Sequence, residues 1–342
     1  MRKPKDRDFI ETVEGLFFCI VDYIHPPDKY TAYLKYIPSD RGLWSRGETK
    51  YERKLKYYHV EKVVETFKFL RQKYPQYIHF CPVRGMTFSM VPKEYVKKYY
   101  IPEERLKQML IASSRDELEE SLVEFVDLLS EVSKVGVEDF GVTGSILIEI
   151  HDPKFSDMDL TVYGLDNSIK VKNALIELMR EDLVKRVPDS LVGKWIREIS
   201  KSFELREEEL ASIVRKRWNY GIFKGRYFSI HPIRKDQEIK ESYGDRRYSF
   251  VRECKIRAVV KDSRESIFMP AVYKVKQVEG EEEVEEVVSY EGLFRDVAKD
   301  GNLIEVFGKL EKVEEGGKES YRVVVGTTEV KRGYIRVVDD GR

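Results

Sequence analysis

Between Ser114 and Arg186 the hydrophobic pattern changes period repeatedly, and that succession constrains the fold more than any other feature. Ser114 and Glu117 have capping-box spacing, with the hydroxyl serving an orphan N–H and the carboxylate reaching back. Leu118, Leu122, Phe125, Val126, Leu129 and Val132 then form an apolar stripe at helical period. Val137 to Thr143 reads as a short strand, closed by Gly144 and Ser145. Met158 to Tyr163 reads as a second strand. A long helix is expected from Ser168 to Arg186, with Val171, Leu175, Leu178, Met179 and Leu183 on one side. This mixture predicts an α+β unit.

The turn and the second strand carry the chemistry. Asp157 and Asp159 are two residues apart in a strand-like context, so alternation puts both carboxylates on one face. Two carboxylates facing one way repel unless a positive charge stands between them. A hard divalent cation sharing its remaining positions with phosphate oxygens meets that need. Across an eleven-residue gap, Gly144 lets the backbone approach a phosphate closely, and Ser145 adds a hydroxyl and an exposed N–H.

Gly144-Ser145, the eleven-residue gap and Asp157-Met158-Asp159-Leu160 together resemble the DNA polymerase beta-like nucleotidyltransferase superfamily. More closely, Gly141 to Gly164 is similar to archaeal proteins classed as predicted nucleotidyltransferases. The resemblance covers Ser114 to Arg186, thins towards Asp236 and is slight elsewhere. It implies a nucleotidyltransferase-like mixed sheet with helices, in which Asp157 and Asp159 hold Mg2+ (or Mn2+) and Gly144 and Ser145 hold the phosphates of an NTP, ATP being the expected nucleotide. It implies transfer of a nucleoside monophosphate to an acceptor hydroxyl with release of pyrophosphate. Ile146 to Ile150 is more apolar than the short helix expected after the turn. A plain hairpin with its aspartates solvated on an outer face is the competing reading.

The family also supplies a third carboxylate from a neighbouring strand, for which Tyr227 to Ile233 is the candidate. Related tRNA-tailing enzymes carry the acid three residues before a proline; counting back from Pro232 gives Ser229, with His231 on the same face. Three readings stay open. His231 serves as ligand or base; Asp236 or Glu253 reaches in from outside the strand; or the site is a catalytically degenerate nucleotide- or RNA-binding module. Arg217 and Lys224, just before this strand among other basic and aromatic residues, are expected to bind nucleotide phosphates. Arg41, Arg46, Lys50, Arg53, Lys54 and Lys56, interleaved with Trp44, Tyr51, Tyr57 and Tyr58, form a second basic stretch suited to nucleic acid.

Outside the central segment, 113–240, the chain reads as an N-terminal mixed α/β domain over 1–112 and a C-terminal small β-barrel or sandwich over 241–342. In the first, Leu16 to Ile24 and Tyr30 to Ile37 form a hairpin-like pair, Ser39 to Lys50 a loop, and Val60 to Tyr74 and Pro102 to Ala112 helices. More helix is expected from Trp195 to Trp218. In the last, Val251 to Val260, Ile267 to Val278, Asn302 to Val313 and Tyr321 to Thr327 read as short strands, and Glu281 to Glu286 as a solvated loop. The 61 basic and 61 acidic residues cancel, so no global charge drives nucleic-acid binding. Abundant charge of both signs resembles hyperthermophile proteins. Three scattered cysteines exclude a disulfide framework or CxxC zinc site. The charged N-terminus and the lack of a long apolar run predict a cytoplasmic protein without membrane contact.

Overall fold

Eighteen strands and seven α-helices make up the computed structural model, which describes residues 2–55, 59–280 and 282–338. It is mixed α+β with several sheets. In chain order the strands are β1 (Phe9–Thr12), β2 (Phe17–Ile20), β3 (Lys29–Pro38), β4 (Trp44–Arg46), β5 (Thr49–Arg53), β6 (Ile78–Cys81), β7 (Met86–Pro92), β8 (Val96–Tyr100), β9 (Phe140–Val142), β10 (Met158–Tyr163), β11 (Tyr220–Phe223), β12 (Arg226–Ile233), β13 (Arg246–Asp262), β14 (Ala271–Glu279), β15 (Val284–Ser289), β16 (Leu303–Glu315), β17 (Lys318–Val325) and β18 (Tyr334–Val338). The helices are α1 (Val60–Lys73), α2 (Pro102–Ile111), α3 (Glu117–Ser133), α4 (Gly144–Leu147), α5 (Leu165–Arg180), α6 (Asp189–Ile199) and α7 (Glu207–Lys216). Among the described residues, no helix is long and apolar enough to cross a membrane.

The chain folds into two compact units, each assembled from three segments. One comprises Met1–Lys56, Ser89–Val187 and Trp218–Lys240; the other comprises Tyr57–Phe88, Pro188–Arg217 and Glu241–Arg342. Residues 1–112 and 113–240 therefore each contribute to both units.

In the first unit, strands run β4-β5-β3-β2-β1-β8, and the end of β7 also pairs with β3. Strands β2 and β3 form the antiparallel pair expected from their apolar runs. Their register slips between Phe18↔Leu34 and Phe17↔Tyr36, leaving Lys35 as the extra residue of a bulge. Bulges re-aim side chains and are frequent beside functional sites. Ser39 to Lys50, expected as a loop, contains the tight β4–β5 hairpin, turned at Gly47 with φ 60°. Its charged residues hid an exposed edge strand.

The second sheet of this unit runs β11-β12-β10-β9, with β10 parallel to β12 and antiparallel to β9. Helices α3 and α5 pack together. Leu118, Leu122, Phe125, Val126 and Leu129 are buried on α3, and Val171, Leu175 and Leu178 on α5. Phe125 lies 4.8 Å from Phe223 and 4.6 Å from Phe228, tying α3 to the sheet. Burying a side chain of this kind contributes about 1.5–3 kcal/mol.

The capping box sits two residues later than expected. Asp116 accepts from the backbone N–H groups of Leu118 and Glu119, both at 2.9 Å, while its own N–H donates to Glu119. Asp116 also holds His151 at 2.8 Å, a long-range partner that local spacing does not reveal. Helix α5 ends at Arg180 rather than Arg186. Asp182 has a left-handed φ of 59° and Leu183, expected on the buried side, is exposed.

In the second unit, β13 pairs on one side with β14 and on the other with β16. Strands β15 and β17 complete the hydrogen-bonded path from β14 back to β16, and β18 adds to β16. The sheet therefore curls into the barrel-like form expected for this part of the chain. The acidic stretch before Glu286 is not simply a loop: Val284 starts β15, because Val284, Val287 and Val288 bury against the curled sheet. Glu281 lies outside the described residues. The helical region from Trp195 to Trp218 divides into α6 and α7, separated by a turn at Ser200–Ser202.

Candidate nucleotide and metal site

The site is built where β9 ends, α4 begins and β10 starts. Thr143 is fixed from two directions. Its N–H donates to the Asp159 carbonyl at 2.8 Å, and its hydroxyl donates to the Arg7 carbonyl at 2.7 Å. The chain then turns sharply at Gly144, with φ +69°. A Cβ at this position would stand 2.3 Å from Asp159 Oδ2, so glycine is required both by the backbone and by the carboxylate. Ser145 is buried, and its hydroxyl has no partner among the described residues. The apolar run after it is explained by burial: Ile146, Leu147, Ile148 and Ile150 are enclosed by protein. The Arg105 guanidinium donates to the Ile146 carbonyl at 3.3 Å, and the Ser45 N–H donates to the Ile150 carbonyl at 3.2 Å.

The acidic pair stands beside this turn, with Asp157 immediately before β10 and Asp159 within it. The Asp157 side chain is exposed to solvent. Its carboxyl is pushed up to about 6, first by loss of hydration and then by the Asp159 charge; Arg53 opposes both. Asp159 faces Ser229 across the parallel β10–β12 pair. Ser229 Oγ donates to Asp159 Oδ1 at 2.5 Å and lies 2.7 Å from His231 Nε2. A serine has one hydroxyl proton; given to Asp159, it leaves Oγ an acceptor, so His231 presents Nε2–H. The three side chains thus form a chain running His231, Ser229, Asp159.

The structure therefore brings together Gly144, Ser145, Asp157, Asp159, Ser229 and His231. It does not bring Lys224 there. Lys224 occupies the β11–β12 turn, where its ammonium pairs with Glu124 at 2.6 Å. Arg217 belongs to the second unit and donates to the Gly292 carbonyl. Neither proposed substitute acid stands at the third position. Asp236 is bound by the Lys5 ammonium, and Glu253 is an exposed residue of β13 in the second unit.

Sequence reasoning missed the opposite wall, contributed by β3 and the β4–β5 hairpin. Lys35, at the bulge, is buried without an ion-pair partner among the described residues. Burial and then the Arg53 charge hold its ammonium well below the ordinary range, with Asp159 pulling the other way. Burial pushes the Tyr36 phenol up to about 12; Arg53 lowers it, and the charges of Asp159 and Asp157 raise it. Lys35, Tyr36 and Arg53 therefore share an electrostatic environment with the acidic pair. The basic stretch 41–56 held part of this signal. Arg53 donates to the Leu55 carbonyl and acts on the Asp157 charge, whereas Arg46 is tied to Glu11 and Tyr100, Lys54 pairs with Glu52, and Tyr51 is buried against Phe17. Lys56, Tyr57 and Tyr58 lie outside the described residues.

The donors at the site are hard oxygens, which suit Mg2+ or Mn2+. Two carboxylates are too few for a cation caged by protein, and among the described residues no group of three or more His, Cys, Asp or Glu side chains is arranged to hold one. Two carboxylates do suit a cation that arrives with phosphate oxygens already in its coordination shell.

Comparison with known proteins adds kinship. The chain is 32% identical over 340 residues to the uncharacterized protein MJ1086 of the archaeon Methanocaldococcus jannaschii, an alignment covering 98% of this chain and 99% of that protein. The chain belongs to the family of MJ1086. No protein-family model matches it, and no solved structure does. Kinship along nearly the whole length means that the family shares both units and not the acidic segment alone.

Proposed function

We propose that the protein is a metal-dependent nucleotidyltransferase with a nucleotidyltransferase-like mixed sheet at its centre. It transfers a nucleoside monophosphate from an NTP, ATP being the first candidate, to an acceptor hydroxyl such as that of an RNA, and releases pyrophosphate. The observation that carries this reading is the placement of Asp159 between the Gly144 turn and Ser229, with Asp157 two residues before it, immediately ahead of β10.

Each group has a definite task in this reaction. Gly144 lets the Asp159 carboxylate close against the turn, and Ser145 offers a hydroxyl and an N–H to phosphate at the start of α4. Asp157 and Asp159 orient the metal–nucleotide complex. A bound Mg2+ would neutralise phosphate charge and align the reacting oxygens. Ser229 fixes the direction of the Asp159 carboxylate, and His231 holds Ser229. With its proton on Nε2, His231 orients through Ser229 and does not take up the acceptor proton directly.

The test is incubation with labelled NTPs, Mg2+ or Mn2+ and candidate RNA or protein acceptors. Label transfer with pyrophosphate release is expected, and its loss in Asp157→Ala/Asp159→Ala. Full activity in that double variant would refute the proposal.

A second reading, a nucleotide- or RNA-binding module without turnover, draws on one observation: Ser229, not a carboxylate, faces Asp159 from β12. It predicts Mg-dependent nucleotide binding without pyrophosphate release.

A further inference from the structure

A nucleotide needs a place for its base as well as its phosphates. Beside the acidic pair, the β4–β5 hairpin offers one. Trp44 and Phe155 meet edge to face, with ring centres 5.7 Å apart and planes at 77°. Phe155 is 46% exposed although it stands only two residues before Asp157, and neighbouring Leu43 is 71% exposed. An aromatic ring left in water beside an acidic pair is available for stacking.

The position of this ring pair is fixed from several sides. Trp44 packs on the buried Tyr36 ring at 5.5 Å. The Ser45 N–H donates to the Ile150 carbonyl, so the hairpin is hydrogen-bonded to the segment that leads from Ser145 to Asp157. Arg226 donates to the Lys154 carbonyl at 3.1 Å, anchoring the residue before Phe155. The Arg53 guanidinium lies 6.0 Å from the centre of the Trp44 ring and opposes the negative charge of Asp157. Arg53, whose Nε donates to the Leu55 carbonyl at 3.1 Å, is thus close to the Trp44 ring and acts on the Asp157 charge, which suits it to a phosphate of a nucleotide whose base stacks on the rings.

We propose that Trp44 and Phe155 form a nucleobase-stacking subsite, with Arg53 binding the phosphates of the same nucleoside triphosphate between the rings and the acidic pair. This rests on reading Asp157 and Asp159 as a metal–phosphate site, but it adds a binding surface from the N-terminal sheet. The subsite recognises a planar aromatic base by its face, which all four common bases present.

Equilibrium binding of the four common ribonucleoside triphosphates, each with Mg2+, compared with Mg2+ and inorganic tripolyphosphate tests the proposal on the full chain. Phe155→Ala is exposed enough to leave folding intact. It should weaken the best-bound nucleotide about tenfold, the effect of losing one stacked base. It should leave tripolyphosphate unchanged, and Phe155→Tyr should restore nucleotide affinity. Arg53→Gln should weaken nucleotide and tripolyphosphate alike. Nucleotide binding unaffected by Phe155→Ala, or equal loss for nucleotide and tripolyphosphate, overturns the stacking subsite while leaving the metal–phosphate site standing. No binding of either probe to the wild-type protein overturns both.

Discussion

The acidic pair of the first unit and the buried acids of the second are opposite solutions to the same electrostatic problem. Glu311 is almost fully enclosed, and burial alone would push its carboxyl up. Arg322 at 2.8 Å and Lys309 at 3.0 Å outweigh that and hold it below its ordinary range. Glu305 is likewise surrounded by Tyr334, Lys255, Arg257 and Arg336. Asp157 has no such escort: burial and Asp159 raise it to about 6, and only Arg53 resists. Charges satisfied within the fold hold the fold together. Charges left in conflict at a cleft mark where a ligand brings the missing counter-charge.

The largest expected effect breaks the satisfied side. Glu311→Ala strands Arg322 as a buried cation and leaves Lys309 with Glu329 alone, which costs about 3–5 kcal/mol. Urea unfolding should show this as a lower midpoint with little change in slope. A loss under 1 kcal/mol would mean that water reaches the network and that the two regions differ less than their contacts suggest.

Next comes the conflicted side. Asp159→Asn should lower transfer by about 10²- to 10³-fold, the scale of removing one preorganised electrostatic group. It should leave thermal stability equal or slightly higher, since it removes one of two repelling charges. Activity lost together with a large fall in melting temperature would place Asp159 with Glu311 as a structural acid.

The two regions should also respond to pH with opposite signs. Asp157 is raised from 3.8 to about 6 on folding, so the stability linked to it is present below 3.8 and lost as pH rises through about 6. Asp157→Asn should therefore gain on the wild type between pH 4 and 7. Glu311 is depressed, so its contribution is present above its ordinary 4.5 and lost as pH falls. The deficit of Glu311→Gln should shrink in acid. Mg-dependent nucleotide binding should rise with pH through about 6 in the wild type, and this rise should be absent in Asp157→Asn. Parallel denaturation and binding series from pH 4 to 8 check all three.

This contrast also explains what could be read from the chain. Gly144, Ser145, Asp157 and Asp159 were legible because they lie close in sequence, on one turn and at the start of one strand. The apolar stripe of α3 was legible because helical period is local. Lys35 and Tyr36 were not, and Trp44 and Arg53 were legible only as part of a basic aromatic stretch, since strand pairing and a bulge bring all four towards the acids from more than a hundred residues away. The Glu311–Arg322 pair lies on neighbouring strands of a hairpin, yet its isolation from water depends on the curled sheet. Asp116 displaced Ser114 as the helix cap because it also holds His151, again a distant partner.

Ser229 tests how far the conflict at the acids is tuned by neighbours. Ser229→Ala removes the hydroxyl that fixes Asp159 and should cost roughly tenfold in transfer, the worth of one hydrogen bond to a charged group. Ser229→Asp adds a third carboxylate and should tighten Mn2+ binding, read by titration. If both leave transfer and metal affinity unchanged, β12 does not participate and the site consists of β10 and the Gly144 turn alone.

The smallest effect is expected at Lys224, and it separates sequence proximity from structural participation most cleanly. Sequence placed Lys224 beside β12 and suggested a phosphate contact. The fold instead puts it on a hairpin turn, where it pairs with Glu124 while both side chains remain about half exposed. An exposed pair of this kind contributes about 0–1 kcal/mol and weakens with salt. Lys224→Ala should therefore leave the KM for NTP and the transfer rate within twofold, and any small loss of stability should vanish in high salt. A tenfold rise in KM would require the turn to abandon Glu124 when nucleotide binds. The first unit would then move at its site, and the division between satisfied and conflicted charge would hold only for the ligand-free protein.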